Sequence, residues 1–231
     1  MKNALRTAFY DLDGTLVSSN VVTRYAFLAR HLPSPARAAY KFAKLALSVP
    51  LLIGLDHYSR RLFNEIFYRE YRGLRKDWLE AMATAIFDRH VRPSIYSGSQ
   101  AAVEADRGNG FRLVLVTGAL DFDLVPVVNF FGFHHVICNS LVFQNGAATG
   151  EVAAPVIAGQ EKQAALQKFC REYNVDAAQS KAYSDSFSDL PMLESVGMPF
   201  AVHPDRRLRR VARQRGWPIL DLKRGNHGNA G

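Results

Sequence analysis

From about Val21 to Val91 the chain offers no convincing strand, whereas short apolar segments on either side of that stretch alternate with helical ones. Ala8-Phe9-Tyr10 reads as a buried strand that runs into an acidic loop. Within the strandless stretch Tyr25, Leu28 and Leu32, then Leu62, Ile66 and Phe67, then Leu74, Trp78, Leu79 and Met82 recur at helical spacing. Pro33, Pro35, Pro50 and Gly54 are expected to divide it into several helices. Further on, residues 100–107 read as a helix, 111–116 as a buried β-branched strand, 120–131 as a helix and 135–138 as a short strand. Leu141-Val142-Phe143, the Asn145-Gly146 turn and a run to Val152 read as a hairpin. Residues 160–173, 189–196 and 206–216 read as helices, and 181–184 and 200–202 as strands. Strands alternating with helices call for a parallel sheet covered on both faces. The expected organisation is therefore an α/β core from residues 1–16 and 96–224, with the helical residues 17–95 inserted as a cap. Residues 225–231, rich in Gly and Asn, are expected to form a disordered tail.

In such sheets a ligand lies beyond the carboxyl ends of the strands. The polar residues that follow strands here are Asp11 and Asp13, Thr117 and Asp185, so residues distant in sequence are expected to meet in one crevice. Asp11 and Asp13 stand two apart in Asp11-Leu12-Asp13-Gly14-Thr15-Leu16. They can face one site if strand regularity breaks, and Gly14 permits the break. Two close carboxylates repel, which drives one toward its protonated form unless a cation lies between them. Mg²⁺ suits one or two carboxylates together with waters and a substrate phosphate. Alone, an Asp-Gly turn with solvated acids is common; the apolar strand before this one and Thr15-Leu16 after it weigh against that reading. Taken singly, Lys162 is an ordinary helix lysine, Thr117 a helix cap, and Asp185 and Asp189 caps of the helix that follows them.

The segment Asp11-Leu12-Asp13-Gly14-Thr15-Leu16 resembles the first motif of the haloacid dehalogenase superfamily. Val116-Thr117-Gly118 resembles the second, Lys162 at the start of a helix the third, and Asp185-Ser186-Phe187-Ser188-Asp189 the fourth. The four occur in order, and the helical insertion between the first two resembles the C1-type cap of the phosphoserine-phosphatase-like branch. The resemblance implies a Rossmann-like core and a phosphatase mechanism. Asp11 would attack phosphorus and become an aspartyl phosphate. Asp13 would protonate the leaving alcohol and then activate water. Thr117 and the Gly118 amide would bind the phosphoryl oxygens, and Lys162 would neutralise charge on Asp11 and the phosphate. Mg²⁺ would be held by Asp11, the backbone carbonyl of Asp13, and Asp185, with Asp189 supporting that ligand set. Asp13 favours phosphate esters over halides, because an alkoxide must be protonated as it leaves.

On the cap side the candidates for substrate contact are Asn20, Arg60 and Arg61. Relatives that act on phosphoserine carry near Asn20 a Glu that binds the amino group; an amide lacks that charge, which counts against phosphoserine. The second motif also lacks the second glycine those relatives place after their Ser. The expected substrate is a small-molecule phosphate monoester. Two alternatives are a lipid phosphate met at a membrane surface and a catalytically inactive phosphate-binding protein on the same fold.

The chain has 29 Lys and Arg against 21 Asp and Glu, a net charge of +8 that suits anionic ligands. The excess gathers at Arg206, Arg207, Arg209, Arg210, Arg213 and Arg215, a spacing expected to give a solvated helix face. No nucleic-acid motif or aromatic platform accompanies it, so no nucleic-acid partner is expected. Cys138 and Cys170 lie in no metal-binding or redox spacing, and residues 1–6 lack the apolar core of a signal peptide, so the expected location is cytoplasmic. The longest apolar run, residues 45–55, is too short to span a bilayer and contains Pro50; it is expected to be a buried cap helix, with membrane-surface contact as the alternative.

Overall fold

The computed structural model describes residues 4–223. After β1 (Thr7–Tyr10) come the helices α1 (Val21–Arg30), α2 (Pro35–Tyr58), α3 (Arg60–Phe67) and α4 (Lys76–Ile86). They are followed by α5 (Ser99–Gly108), β2 (Arg112–Leu120), α6 (Val125–Phe131) and β3 (His135–Asn139). A hairpin of β4 (Leu141–Gln144) and β5 (Ala147–Val152) precedes α7 (Gln160–Glu172) and β6 (Lys181–Ser184). The chain closes with α8 (Leu190–Leu193), β7 (Met198–Val202), α9 (Arg206–Arg215) and β8 (Ile219–Leu220). The expected tail at 225–231 lies outside the described residues.

Six strands form one sheet in the order β3-β2-β1-β6-β7-β8, and every pairing in it is parallel. Because side chains alternate along a strand, Ala8, Tyr10, Leu113, Leu115 and Tyr183 face one core, toward α5 and the inserted helices. Phe9, Val114, Val116 and Ala182 face the other, packed with Leu166, Phe169, Met192 and Leu208 of α7, α8 and α9. Every residue of β1 is fully buried, as a central strand covered on both faces must be. The chain leaves β1 toward β2 and β3, then returns to place β6 on its other side. This reversal opens a crevice at the carboxyl ends of β2, β1 and β6.

The Asn145-Gly146 turn forms as its residues require, with φ of 51° and 75°. Three expectations are corrected. β2 runs on to Leu120, so the helix expected from residue 120 begins only at Val125, where Pro126 fits its first turn without losing a hydrogen bond. The helix expected at 189–196 shrinks to the four residues of α8. The short edge strand β8 was not anticipated.

The largest correction concerns α2. Pro33 and Pro35 do end one helix and begin the next, with Pro35 in the first turn after the Ser34 cap. Pro50 and Gly54, expected to break the run, lie inside a single helix of 24 residues. Pro50 and Ala46, four residues before it, are both exposed, so the carbonyl that loses its partner lies on the solvent side. Nor is the run buried. Leu45 and Leu52 are the buried residues of α2, while Leu47, Leu51 and Ile53 are exposed. By length and composition α2 is also apolar enough to cross a membrane, which the uninterrupted run of 45–55 was not.

The inserted helices make their core without most of α2. Tyr25, Phe63, Phe67, Tyr68 and Tyr71 form an aromatic cluster with centroids 5.0–5.7 Å apart for Tyr25–Tyr71, Phe63–Phe67 and Tyr25–Phe67. Such contacts add roughly 0.5–1.5 kcal/mol per pair beyond burial. The β4–β5 hairpin braces the insertion from below: the Gly73 and Lys76 amides donate to the carbonyls of Ala148 and Gly146.

Candidate active site

Tyr10 is the last residue of β1 and pairs with Leu115 on one side and Tyr183 on the other. Asp11 and Asp185 therefore follow the ends of β1 and β6, while Thr117, expected to follow its strand, lies inside β2 beside them, where the register of β2 against β3 shifts after Val116. After Asp11 the chain closes tightly: the Leu12 carbonyl accepts from the amides of Thr15, Leu16 and Val17, and Gly14 donates to Val17. Gly14 makes this turn at φ 85°, and a Cβ there would fall 2.2 Å from Oδ2 of Asp185. A glycine is needed both for the backbone angle and for the approach of that carboxylate.

A small cavity at the strand ends is lined by Asp11, Asp13, Arg60, Asn64, Thr117, Gly118, Lys162, Ser186, Ser188 and Asp189. Lys162 Nζ donates to Oδ1 of Asp11 and to Oδ2 of Asp189, each at 2.7 Å. The Ser184 hydroxyl gives Oδ2 of Asp189 a further hydrogen bond at 2.8 Å. Thr15 Oγ1 stands 3.3 Å from Oδ2 of Asp11 and 3.2 Å from Oδ1 of Asp185, bridging the two carboxylates. Thr117 Oγ1 accepts from the Ala119 amide and is otherwise available to the cavity.

The electrostatics are unbalanced toward negative charge. Burial pushes the Asp11 carboxyl up to about 6 even though Lys162 opposes the shift, and Asp189 and Asp13 add to it. Asp185 is pushed further, to about 8, by burial and by the charges of Asp11 and Asp189. Burial works against the Lys162 ammonium, but Asp11 and Asp189 outweigh it and hold the lysine charged. A buried and a half-buried carboxyl group whose negative charges oppose one another, joined by one hydroxyl, form a donor set that a divalent cation would satisfy. Among the described residues no group of three His, Cys, Asp or Glu side chains could hold a metal by side chains alone.

Of the three cap-side candidates, Arg60 lines the inner cavity and is held by Asp56. The charges of Asp11 and Asp13 also favour its guanidinium, although burial opposes it. Arg61 instead sits on the rim of the outer cleft, paired with Glu65 and, at 3.8 Å, with Glu161. The side-chain oxygen of Asn20 accepts from the Thr23 amide in a capping box at the start of α1, so this oxygen is already used in holding the helix end.

Four buried residues at the site were not singled out from sequence. Arg24 reaches from α1 to both carboxylate oxygens of Asp13 and lies 3.5 Å from Asp123. Asn64 on α3 lines the cavity with its Nδ2 buried and unpartnered. Tyr68 donates to the Gly118 carbonyl at 2.6 Å, and Asn139 donates to the same oxygen at 2.8 Å. The one sequence signal that could have found Arg24 is its position: a charged residue on the apolar stripe of Val21, Tyr25 and Leu28.

Residues 8–194 match the family model for haloacid dehalogenase-like hydrolases. The chain is 32% identical to the "Inhibition of morphological differentiation protein" of Streptomyces azureus, over 94% of this chain and 78% of that one. It is 29% identical to a "Probable phosphatase" of Mycobacterium tuberculosis, over 96% of this chain and 77% of that one. A solved structure of phosphoserine phosphatase with an analogue of its phospho-aspartyl intermediate superimposes with a TM-score of 0.71 at 15% identity, covering 96% of this chain and 95% of that one. At that identity the likeness is one of fold.

Proposed function

The chain belongs to the haloacid dehalogenase-like hydrolases, in their phosphoserine-phosphatase-like branch, and from that premise we propose that it is a Mg²⁺-dependent phosphatase that forms an aspartyl phosphate on Asp11. The observation that carries the reading is the contact of Lys162 with Asp11, 2.7 Å, at the floor of a cavity that Asp13, Thr117 and Gly118 also line. A lysine there leaves Asp11 a carboxylate at neutral pH and offers charge to an incoming phosphate.

In this reading a carboxylate oxygen of Asp11 bonds to phosphorus as the ester P–O bond breaks, and Asp13 gives its proton to the departing oxygen. Asp13 then takes a proton from water, whose oxygen attacks the phosphorus of the intermediate and returns Asp11 to its carboxylate. Thr117 Oγ1, the Gly118 amide and Lys162 hold the equatorial oxygens through both steps. Arg60 closes the cavity from the cap and faces the phosphate's remaining charge. Asp11, the carbonyl of Asp13, and Asp185 would hold Mg²⁺, which supplies neutralisation of phosphate charge when bound. Asp189 keeps Lys162 aimed at Asp11. The core and cap assignments of residues 1–16 with 96–224, and of 17–95, belong to the same proposal.

The test is hydrolysis of an aryl phosphate by the wild type and by Asp11→Asn. Phosphate release that needs Mg²⁺ and disappears in the variant is the expected result; turnover retained by Asp11→Asn would sink the assignment.

A further inference from the structure

An α-helix that packs by one stripe normally turns charged residues to water. α2 does not. Its inward stripe is regular: Ala38, Lys41, Leu45, Ser48, Leu52 and Leu55 are its buried or half-buried positions. Its outward side is apolar as well. Tyr40 is 68% exposed, Leu47 83%, Leu51 63% and Ile53 66%, and no charged residue occurs between Lys44 and Asp56. An exposed apolar face this long marks a contact surface.

Charge and shape on the same side say what it meets. Arg30 and Arg37 are exposed at the amino end of α2 and beside it, while Lys44 next to them is paired with Glu70, in a chain of net charge +8. Tyr40 and Tyr58 stand exposed near the two ends of the apolar face, as amphipathic rings do at a membrane–water boundary. The face also leads to the site. A second cavity, about 410 Å³, is lined by Val49, Leu52, Ile53 and Phe63 on its apolar side and by Asp13, Asp185 and Arg60 at its floor. Asp13, Val21 and Arg60 also line the inner cavity of Asp11 and Lys162, so a molecule entering from here would bring a phosphate to Arg60 and leave an apolar chain along α2.

The helix does not cross the bilayer in this arrangement. Only residues 31–34 separate α2 from α1 and only Ser59 separates it from α3, and both neighbours pack against it. Its two ends are thus tied to one side, and its face can enter the headgroup layer by about 5–10 Å while its axis lies in the plane.

We infer that the exposed face of α2 docks on an anionic bilayer and that the phosphate monoester hydrolysed at Asp11 is a lipid phosphate drawn from it. This rests on the phosphatase reading above and narrows its substrate.

The test uses the full chain with vesicles of phosphatidylcholine containing phosphatidylglycerol and phosphatidic acid. Leu47→Glu/Leu51→Glu is the informative variant, since both side chains are exposed and neither lines a cavity at the site. Expected results are co-sedimentation with the anionic vesicles that weakens with salt, phosphate release from the phosphatidic acid, and loss of both by at least tenfold in the variant. The variant should keep its circular dichroism and its turnover of a soluble aryl phosphate. Equal sedimentation of wild type and variant, or vesicle binding without release from the lipid, would overturn the inference while aryl phosphate turnover left the phosphatase reading standing. A concentration-dependent dimer that the variant dissolves, with no vesicle binding, would assign the face to a second copy of the chain instead. Absence of turnover on every phosphate would strike the phosphatase reading itself, whatever the vesicles showed.

Discussion

One guanidinium nitrogen of Arg24 stands 2.7 Å from Oδ1 and 2.5 Å from Oδ2 of Asp13, with both side chains buried. Arg24 belongs to α1, in the helical insertion, and Asp13 to the loop after β1. The cap thereby holds the carboxylate proposed to move the proton. Asp123, after β2, lies 3.5 Å from the same arginine and is pushed up to about 6 by burial, against the pull of Arg24.

Replacing Arg24 should therefore act on chemistry more than on binding. Arg24→Ala leaves two buried carboxylates without their cation, a change that costs about 3–5 kcal/mol of stability. A misplaced catalytic group can cost about 10²-fold in rate. The expected outcome is a fall in kcat of that order on an aryl phosphate with KM little changed, read by steady-state kinetics below the lowered Tm. A change confined to KM would remove Arg24 from the positioning of Asp13.

Gly14→Ala tests the approach of Asp185 to the first loop. A methyl group there meets Oδ2 of Asp185 at 2.2 Å and holds a φ of 85° that an L-residue adopts at a cost of about 1–2 kcal/mol. Asp185 must withdraw. Mg²⁺ affinity, followed as the rise in Tm with added Mg²⁺, should weaken at least about tenfold, since each 1.4 kcal/mol is a factor of ten. Unaltered Mg²⁺ affinity would place the cation elsewhere.

Asn64 presents a buried, unpartnered Nδ2 to the inner cavity, and an amide donor so placed is costly unless a ligand takes its hydrogen bond. Hydrogen bonds to charged groups contribute roughly 1.5–3 kcal/mol. Asn64→Ala should lower kcat/KM for a phosphate ester by about 10- to 100-fold while leaving Tm equal or higher. Full activity in this variant would show that the amide does not reach the substrate.

Metal removal should show a defined pH sense. Asp11 and Asp185 are raised to about 6 and about 8, so their contribution to stability is present at acid pH and is lost as pH rises through those values. In a chelator, Tm should decline from about pH 4, the ordinary carboxyl value, to about pH 8. Added Mg²⁺ should restore it, with a shift that grows with pH because protons and the cation compete for the same oxygens. A Mg²⁺-induced shift that shrinks as pH rises would contradict this arrangement.

The local features that could be read from residues alone were those with a short range. Strands such as 181–184 and the Asn145-Gly146 hairpin follow from apolar runs and turn chemistry within a few residues of each other. The position of Asp11 and Asp185 at strand ends follows as well, since a buried apolar strand must stop where a carboxylate begins. The α/β class then emerges from the alternation, and with it one edge to which Asp11, Thr117 and Asp185 belong.

What the tertiary structure decided is burial, because burial depends on neighbours distant in sequence. Asn64 looks like a surface residue until Gly118 is brought against it, and Arg24, a charge on an apolar stripe, has no partner until the fold brings Asp13 to it. Arg60 and Arg61 are equivalent in sequence; a rotation of about 100° per residue sends one into the cavity and the other to its rim. In α2, apolar residues lie on every side, so their spacing could not say which side would be covered, and Pro50 could remain in the helix because the freed carbonyl faces outward. Only the packing of α1 and α3 along one stripe left Leu47, Leu51 and Ile53 in the open.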